Sequence, residues 1–491
     1  MKKLIEKYKN MSLQARAALW FMACSFMQRG ISELTTPIFS RILTTAEFGQ
    51  YKNFDTWMNF VTVIVVMKLY AGMYTQGLVK YEEDRKTYVS SLQGLSLTLC
   101  IIWTGIYWIW HDFWNELLSL TTVQMFAMMV MIWATACFNL WATEQRVMLK
   151  YRSLVIVTLL VSIAKPVVGI ILVLNADDKV TARILGLALV EFIGYSAFFV
   201  IALVRGKKFY SSKYWKSTIL LGLPLIPHYL SQTALNGADK IMIKRMVGDS
   251  ESGIYSLAYS VSQIMTLVNT ALVQTITPWI GQKIKQNKGE QVPGLVEGML
   301  IIDAVCNLGV MAFAPELIAV FGPKKYAEAI WVMPPVVMSV YFSFAYSVFA
   351  AYEFYFEKNR LMSVATMTGA VLNIVLNLIF IDKFGYIAAG YTTLICYILY
   401  GLFHYFLMQS IIKNNMQKKD LFSTKRMGFI TLLFLLAGFV YLASYLNTFV
   451  RYGLNGVLLI LIIVFRKKLI KLIKNIFDIR RKKAGNVNRD K

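Results

Sequence analysis

Apolar runs long enough to cross a bilayer recur along the whole chain, at a spacing of roughly 35 residues, and this repetition constrains the fold most. A spanning helix needs about 20 apolar residues, so each repeat accommodates one span and a short loop. Of the 491 residues, 57% are hydrophobic and 16% are charged, and no long polar segment remains for a soluble domain. The sequence therefore predicts an all-α integral membrane protein with about fourteen transmembrane helices.

The predicted spans alternate with short loops, and their ends are set to within about 2–4 residues. We place them at 16–40, 54–78, 87–110, 121–143, 154–175, 182–204, 217–243, 254–279, 294–321, 328–353, 361–381, 386–410, 427–447 and 450–466. The N-terminus, the C-terminal tail and the loops after even-numbered spans carry about 36 of the 51 lysines and arginines, and the opposite loops about 10. Because cytoplasmic loops carry such an excess, both termini are predicted to be cytoplasmic.

Those loops account for the net charge of +24, so we expect no nucleic-acid partner. The first apolar stretch is long, carries Arg29 and Glu33 and lacks a small-residue cleavage site, which predicts a span and not a cleavable signal. The five cysteines and three histidines show no metal-ligand spacing, and we expect no metal site.

A short pattern recurs in the two halves of the chain. Arginine, glutamate, glycine and tyrosine occur at identical spacing in 41–51, after the first span, and in 245–255, after the seventh, at an offset of 204 residues. We interpret this as a parallel duplication. It predicts a six-helix N-terminal lobe at 1–208, a six-helix C-terminal lobe at 209–415, and two additional transmembrane helices with a basic cytoplasmic tail at 416–491.

Several segments carry a resemblance to a known family. They are 41–51, then 223–228 with 237–240 in the seventh span, 253–259 at the start of the eighth, and 372–377 with 384–390 in the eleventh and twelfth. In this order they resemble the polysaccharide (Wzx-type) flippases of the multidrug/oligosaccharidyl-lipid/polysaccharide exporter superfamily. Where that family commonly reads Gly-Ala-Ala, positions 388–390 read Ala-Ala-Gly.

The resemblance implies two pseudo-repeated six-helix bundles (MATE-like) plus two C-terminal helices. It implies a flippase, not an enzyme, that moves an undecaprenyl-diphosphate-linked oligosaccharide repeat unit from the cytoplasmic to the outer leaflet of a bacterial cytoplasmic membrane. The product would serve O-antigen, capsule or exopolysaccharide synthesis. We expect a functional monomer that works beside a polysaccharide polymerase and glycosyltransferases, with no cofactor beyond possible H⁺ or Na⁺ coupling.

Ionisable residues at membrane depth are the candidate site, because each central charge costs about 2.5–3.5 kcal/mol unless it is compensated. The predicted substrate-binding residues are Arg29, Lys68, Lys165 and Lys240. Lys68 is placed in the middle of the second helix, with no acid three or four residues away. A pair of phosphates would offset the cost of such cations, and both arginine and lysine bind phosphate. We therefore expect a cationic cavity about which the two halves rock.

Six further residues are predicted to couple an ion or to pair with a cation. They are Glu33, Asp55, Glu191, Asp239, Asp303 and His228. Structural roles stay open for several of them. Arg29 and Glu33 lie four residues apart on one helix face and could simply pair. Lys165 could pair with Glu191, and His228 could be a satisfied interior histidine.

Prolines mark the predicted hinges Pro166, Pro224 and Pro227, because proline removes a backbone donor and disrupts a helix. Broken helices at membrane depth are tolerated where they line cavities. The adjacent Asp239 and Lys240 could form an outer gate or a structural pair. Asn373 and Asn377, one helical turn apart, are predicted to form interhelical hydrogen bonds first and sugar contacts second.

Three rival functions remain. A MATE-type multidrug/cation antiporter would favour an acidic, aromatic cavity, so intramembrane lysines and arginines count against it. A lipid II flippase would carry a related diphosphate. A membrane polysaccharide polymerase or ligase is disfavoured because the outward loops, such as 111–120 and 322–328, are short.

Overall fold

The computed structural model describes residues 11–416, 421–472 and 474, and every regular element in these residues is a helix. The helices up to residue 246 are α1 (Leu13–Ile42), α2 (Thr45–Val66), α3 (Gly72–Lys80), α4 (Arg85–Ile109), α5 (His111–Leu118), α6 (Thr122–Val147), α7 (Tyr151–Leu174), α8 (Lys179–Tyr195), α9 (Ala197–Gly206), α10 (Ser212–Gly222) and α11 (Ile226–Met246). The following helices are α12 (Asp249–Ser262), α13 (Ile264–Lys285), α14 (Val292–Ala312), α15 (Ala314–Phe321), α16 (Ala329–Tyr355), α17 (Asn359–Phe384), α18 (Ala388–Met416), α19 (Thr424–Ser444), α20 (Thr448–Val464) and α21 (Arg466–Leu472). The all-α prediction is confirmed. The first ten residues and residues 475–491 of the predicted basic tail lie outside this description.

The helices pack into two compact units, which divide between Ile241 and Met242 near the end of α11. The predicted lobe boundary after residue 208 rests on the sequence repeat and stays a prediction. Packing joins α10 to the first unit, because the Trp215 indole N–H donates to the Ser91 carbonyl of α4 at 2.8 Å.

Ten helical segments among the described residues are long and apolar enough to cross a membrane. They are Arg85–Ile109, Thr122–Val147, Tyr151–Leu174, Lys179–Gly206, Asp249–Lys285, Gly289–Ala312, Ala329–Tyr355, Leu361–Phe384, Ala388–Met416 and Thr424–Ser444. An eleventh exists if α20 and α21, which meet at an angle of 66°, count as one span. The chain is a multi-pass membrane protein, but the predicted count of fourteen is not confirmed.

Three predicted spans, at 16–40, 54–78 and 217–243, have no counterpart among those segments. The first corresponds to α1, whose 30 residues are long enough to span but include charged side chains. The other two are each divided into two helices, α2 with α3 and α10 with α11. Charges and helix breaks therefore set these three segments apart from the more apolar ones.

Both copies of the repeated pattern lie at a junction between two helices. In the first copy, the Glu47 N–H donates to Thr44 Oγ1 at 3.1 Å and the Thr44 N–H donates to Glu47 Oε2 at 2.7 Å. This capping box satisfies two backbone donors at the start of α2. In the second copy, Glu251 lies in the first turn of α12, where a negative charge is favourable to the helix dipole. The repeated glutamate thus has a structural reason, which is to begin a helix.

The apolar side of α2 is fixed within the first unit. Phe54 and Val65 of α2 join a buried cluster with Met128 of α6 and Ile184 of α8. Burying these side chains contributes about 1.5–3 kcal/mol each. The polar residues of α2 are consequently held on another side of the helix.

Candidate functional site

A cavity of about 300 Å³ lies within the first unit, between α2 and α11. It is lined by Asp55, Thr56, Asn59, Lys68, Gln232, Thr233, Asn236, Gly237 and Lys240. All of these except the glycine have a polar or charged side chain. Ligand pockets are usually lined mostly by apolar side chains. This cavity is therefore suited to a charged or strongly hydrated group.

Two helices present polar faces to the cavity. Gln232, Asn236 and Lys240 follow one another at four-residue intervals, so they share one face of α11. Asp55 and Asn59 have the same spacing on α2. Only Asp55 and Lys240 of these five were predicted from the sequence. The four-residue spacing of neutral amides on predicted spans was the signal that could have added the others.

The two helices approach each other closely beside the cavity. A Cβ added at Gly237 would lie 2.9 Å from Thr56 Cγ2, closer than real side chains pack. The absence of a side chain at Gly237 therefore allows α11 to lie against α2 at this point.

Lys68 lies in the non-helical turn between α2 and α3. The prediction that it lies in the middle of a helix was wrong. Helix α2 ends at Val66, and Met67 and Lys68 adopt left-handed backbone conformations with φ of 49° and 44°. The Lys68 ammonium group lies 5.3 Å from the centre of the Tyr229 ring on α11. His228, the neighbour of Tyr229, has a buried Nδ1 with no hydrogen-bond partner among the described residues. The break turns Lys68 toward the cavity, where irregular backbone is tolerated.

Charges of both signs surround Lys240. Asp239, Lys52, Asp55 and Glu33 all act on its ammonium group electrostatically. Asp239 is buried, and its Oδ1 accepts a hydrogen bond from the Lys240 backbone N–H at 2.9 Å. Two lysines and one aspartate line the cavity itself, so its wall carries one net positive charge.

Lys165 does not line this cavity, and it pairs with an acid. Its Nζ lies 2.6 Å from Glu191 Oε1, with 27% of the Lys165 side chain and 6% of the Glu191 side chain exposed. The Thr135 hydroxyl donates to Glu191 Oε2 at 3.0 Å. The geometry matches the pairing alternative, and substrate binding by Lys165 stays a prediction.

The other predicted charges do not line the cavity either. Arg29 is exposed on α1, and its charge acts on Glu33 one turn later. Asp303 is buried on α14 in the second unit, and neither of its carboxylate oxygens has a hydrogen-bond partner within the described parts of the chain. The structure thus groups Lys68, Lys240 and Asp55, with Glu33 within electrostatic reach.

The prolines behave in two ways. Helix α7 continues through Pro166, from Tyr151 to Leu174. At Pro224, by contrast, a 3₁₀ turn at Leu223–Leu225 separates α10 from α11, and Pro227 lies in the first turn of α11. The α-helix is interrupted at the second place, and the bend there and the hinge role of all three prolines stay predictions.

The predicted interhelical hydrogen bonds of Asn373 and Asn377 are present. Asn377 Nδ2 donates to Asn373 Oδ1 at 3.2 Å, and Asn373 Nδ2 donates to Thr393 Oγ1 at 3.4 Å. The Thr392 hydroxyl donates to Asn377 Oδ1. The contacts with Thr393 and Thr392 join α17 to α18 in the second unit, whereas the contact between the two asparagines lies within α17.

The sequence also matches a known protein family. The sequence profile described as "Polysaccharide biosynthesis protein" matches residues 15–283, more than half of the chain. The chain belongs to the polysaccharide biosynthesis protein family. The matched residues include the whole cavity.

Relatives and solved structures agree with this membership. The "Probable low-salt glycan biosynthesis flippase Agl15" of Haloferax volcanii is 24% identical over 190 residues, 36% of this chain and 39% of that protein. This chain spans about half the length, or less, of the curated relatives it matches. The lipid II flippase MurJ, in an inward closed conformation, has the same fold at a TM-score of 0.70, with 13% identity over 92% of this chain and 100% of that one. An inward-facing multidrug resistance MATE family transporter of the MOP superfamily matches at a TM-score of 0.63, with 13% identity over 79% of this chain and 96% of that one.

Several buried ionisable residues of this polysaccharide biosynthesis protein are not among those predicted from the sequence, and Arg183 and the Glu353–His404 pair are two examples. Arg183 is 6% exposed and stacks its guanidinium 3.5 Å from the centre of the Phe39 ring. Glu353 and His404 form a buried pair in the second unit. Glu353 and His404 both fall in predicted spans. A histidine within an apolar segment, in a chain with only three histidines, was the signal that could have identified the pair.

Proposed function

We propose that this polysaccharide biosynthesis protein is a flippase for a polyprenyl-diphosphate-linked oligosaccharide, which it moves from the cytoplasmic to the outer leaflet for O-antigen, capsule or exopolysaccharide synthesis. The observation that carries the proposal is the polar cavity with Lys68 and Lys240 in its wall. Family membership and the name of the Haloferax volcanii relative support it.

The cavity chemistry supports an anionic cargo. A charge at membrane depth costs about 2.5–3.5 kcal/mol unless it is compensated, and a bound anion would supply such compensation for Lys68. Hydrogen bonds to charged groups contribute about 1.5–3 kcal/mol each. The amides of Asn59, Gln232 and Asn236 can donate to phosphate or sugar oxygens.

The cavity size supports binding of the headgroup alone. A volume of about 300 Å³ equals that of roughly ten water molecules. It is large enough to admit a diphosphate with the sugar next to it. We therefore assign the rest of the glycan and the polyprenyl tail to other surroundings, the tail remaining in lipid.

The setting of this activity is part of the proposal. We place the protein in the bacterial cytoplasmic membrane with both termini in the cytoplasm, as the distribution of lysine and arginine favours. We propose a monomer that performs no covalent chemistry, uses an ion gradient of H⁺ or Na⁺, and works beside a polymerase and glycosyltransferases.

The rival functions differ from the proposed one either in the charge of the cargo or in the phenotype of cells that lack the protein. An extruder of organic cations, which the similarity to a MATE transporter suggests, would have its cargo repelled by Lys68 and Lys240. A lipid II flippase would use the same cavity for the same diphosphate. Loss of the protein would then cause lysis, whereas the proposed function predicts viable cells without a surface glycan.

Charge removal in the cavity tests the proposal. Lys68→Gln and Lys240→Gln should each lower export of the surface glycan roughly ten- to a hundredfold, the loss expected for one charge-assisted contact of about 1.5–3 kcal/mol. Export is measured as surface glycan in cells that lack the chromosomal copy. Protein in the membrane fraction is quantified alongside.

The matched controls either keep the positive charge at the same position or remove a lysine outside the cavity. Lys68→Arg and Lys240→Arg should retain substantial export, because arginine also binds phosphate. Lys80→Gln removes an exposed lysine at the end of α3 and should export normally. Normal export by both glutamine variants at wild-type abundance would refute the cationic cavity as the cargo site.

A further inference from the structure

Helices α16 and α18 of the second unit bury an acid and a base against each other. Glu353 Oε1 and His404 Nδ1 are 2.6 Å apart, and both side chains are fully buried. Glu353 lies two residues before the end of α16, within its last turn, and His404 lies in the interior of α18. Buried ionisable residues in membrane helices are rare and usually functional.

The surroundings of the Glu353–His404 pair are aromatic and hold few titratable groups. The rings of Tyr346 on α16 and Tyr400 on α18 lie 5.4 Å and 4.4 Å from the His404 ring, centre to centre. Helix α17 faces the same place with Thr366, whose hydroxyl bonds that of Tyr400 at 3.0 Å. No lysine, arginine or further acid forms an ion pair with either residue in the part of the chain that the structure describes.

Each partner has an unused polar atom. Glu353 Oε2 and His404 Nε2 are buried and have no hydrogen-bond partner among the described residues. Leaving a buried polar atom unpaired costs about 1–3 kcal/mol, and a proton or a water molecule that reaches these atoms would relieve that cost. The free lone pair and the free ring nitrogen are the two positions at which a proton can be added or removed.

Proton counting shows why burial matters here. With one proton between them the two groups have no net charge, whether as imidazolium with carboxylate or as imidazole with carboxylic acid. A second proton gives imidazolium beside carboxylic acid, with a net charge of +1, and removal of the first leaves −1. Either charged state leaves an unneutralised charge on two fully buried side chains, which burial disfavours. The closed packing therefore favours the one-proton state, and water access favours the charged ones.

We propose that the Glu353–His404 pair is a proton-binding site, and that uptake of a second proton favours separation of α16 from α18 during the transport cycle. The link to transport rests on the flippase function proposed above, whereas the proton site itself does not. The ligand is a proton, delivered by water, and no other reactant is needed.

Infrared spectroscopy tests the proton site directly. The full chain in lipid nanodiscs is compared between pH 5 and pH 8, the range in which histidine-linked sites titrate. The wild type should show a protonated-carboxyl signal that grows toward pH 5, and Glu353→Gln should show a growth smaller by about one carboxyl group. Glu357→Gln, which replaces an exposed acid four residues after Glu353, should retain the wild-type growth. An identical pH-dependent signal in Glu353→Gln would overturn the proposal.

Export separates the link to transport from a structural role. Glu353→Gln and His404→Gln each keep a hydrogen-bonding side chain, so a structural pair would leave export and its sensitivity to a protonophore unchanged. The proposal expects both variants to lose that sensitivity, and His404→Gln carries the test if Glu353→Gln is not found in the membrane. Unchanged sensitivity in both would refute the link. A wild type that never restores the surface glycan would refute the flippase function and with it the link, while the infrared titration would still decide the proton site.

Discussion

The Lys165–Glu191 pair can be removed in three ways, and the three results separate pairing from substrate binding. Lys165→Met leaves a carboxylate that is 6% exposed without its cation, and Glu191→Gln leaves the ammonium group without its anion. The double variant leaves neither charge. In Glu191→Gln the amide can still accept the hydrogen bond that Thr135 donates at 3.0 Å to the native carboxylate.

The magnitude follows from the burial of the pair. An uncompensated charge at membrane depth costs about 2.5–3.5 kcal/mol. Each single variant should therefore shift the folding equilibrium roughly 60- to 300-fold toward the unfolded state, at 1.4 kcal/mol per factor of ten. The double variant should lie within about 1 kcal/mol of the wild type, because replacing a buried pair by neutral groups is often close to neutral.

Unfolding by sodium dodecyl sulfate in mixed micelles measures these differences, and export of the surface glycan is scored in the same strains. A stable double variant that exports normally assigns Lys165 to pairing. A stable double variant that fails to export assigns it to the cargo. Single variants as stable as the wild type would refute the reasoning, because an unpaired charge would then have cost nothing.

Two further substitutions test packing and pH dependence in the first unit. Gly237→Ala should destabilise the protein by about 1–3 kcal/mol in the same micelle assay, because the added methyl group would lie 2.9 Å from Thr56 Cγ2. Adding Thr56→Ser removes the threonine methyl group and should restore stability. A double variant as unstable as Gly237→Ala would contradict the contact. Hydrogen bonds from Thr87 and Tyr214 lower the pKa of the exposed Asp84 carboxyl below its usual 3.8. These bonds therefore stabilise the folded state fully above pH 3.8, and that stabilisation is lost as the pH falls through the lowered pKa of the folded state. Tyr214→Phe should therefore lower the unfolding temperature at pH 7, with a difference from the wild type that shrinks in acid; a difference independent of pH would contradict the assignment.

Much of the site depends on features that hydropathy cannot register. Lys68 was predicted at the centre of a helix because residues 54–78 are apolar enough to be one span. The left-handed turn at Met67 and Lys68 divides that segment, and no proline marks the break. The neutral residues Gln232 and Asn236 were passed over because they carry no charge, although their spacing places them beside Lys240.

The repeated pattern shows the opposite case, in which local chemistry was visible but its meaning was not. Thr44 caps the start of α2, and the Glu47 carboxylate accepts a hydrogen bond from the Thr44 N–H, a contact between residues three apart in the sequence. The spacing placed both copies after an odd-numbered span, and the structure shows a helix beginning within each. That the glutamate satisfies backbone donors there follows only from the hydrogen bonds.

The sequence by itself determined the membrane class and the helical architecture. It could do so because the bilayer imposes a local rule: each spanning segment must satisfy its own backbone and present about 20 apolar residues. The tertiary structure decided which charges meet. Lys165 pairs with Glu191, whereas Lys68 and Lys240 share a cavity, because these outcomes depend on the rotation and depth of each helix against its neighbours. Those quantities are set by packing between distant segments, and no single segment specifies them.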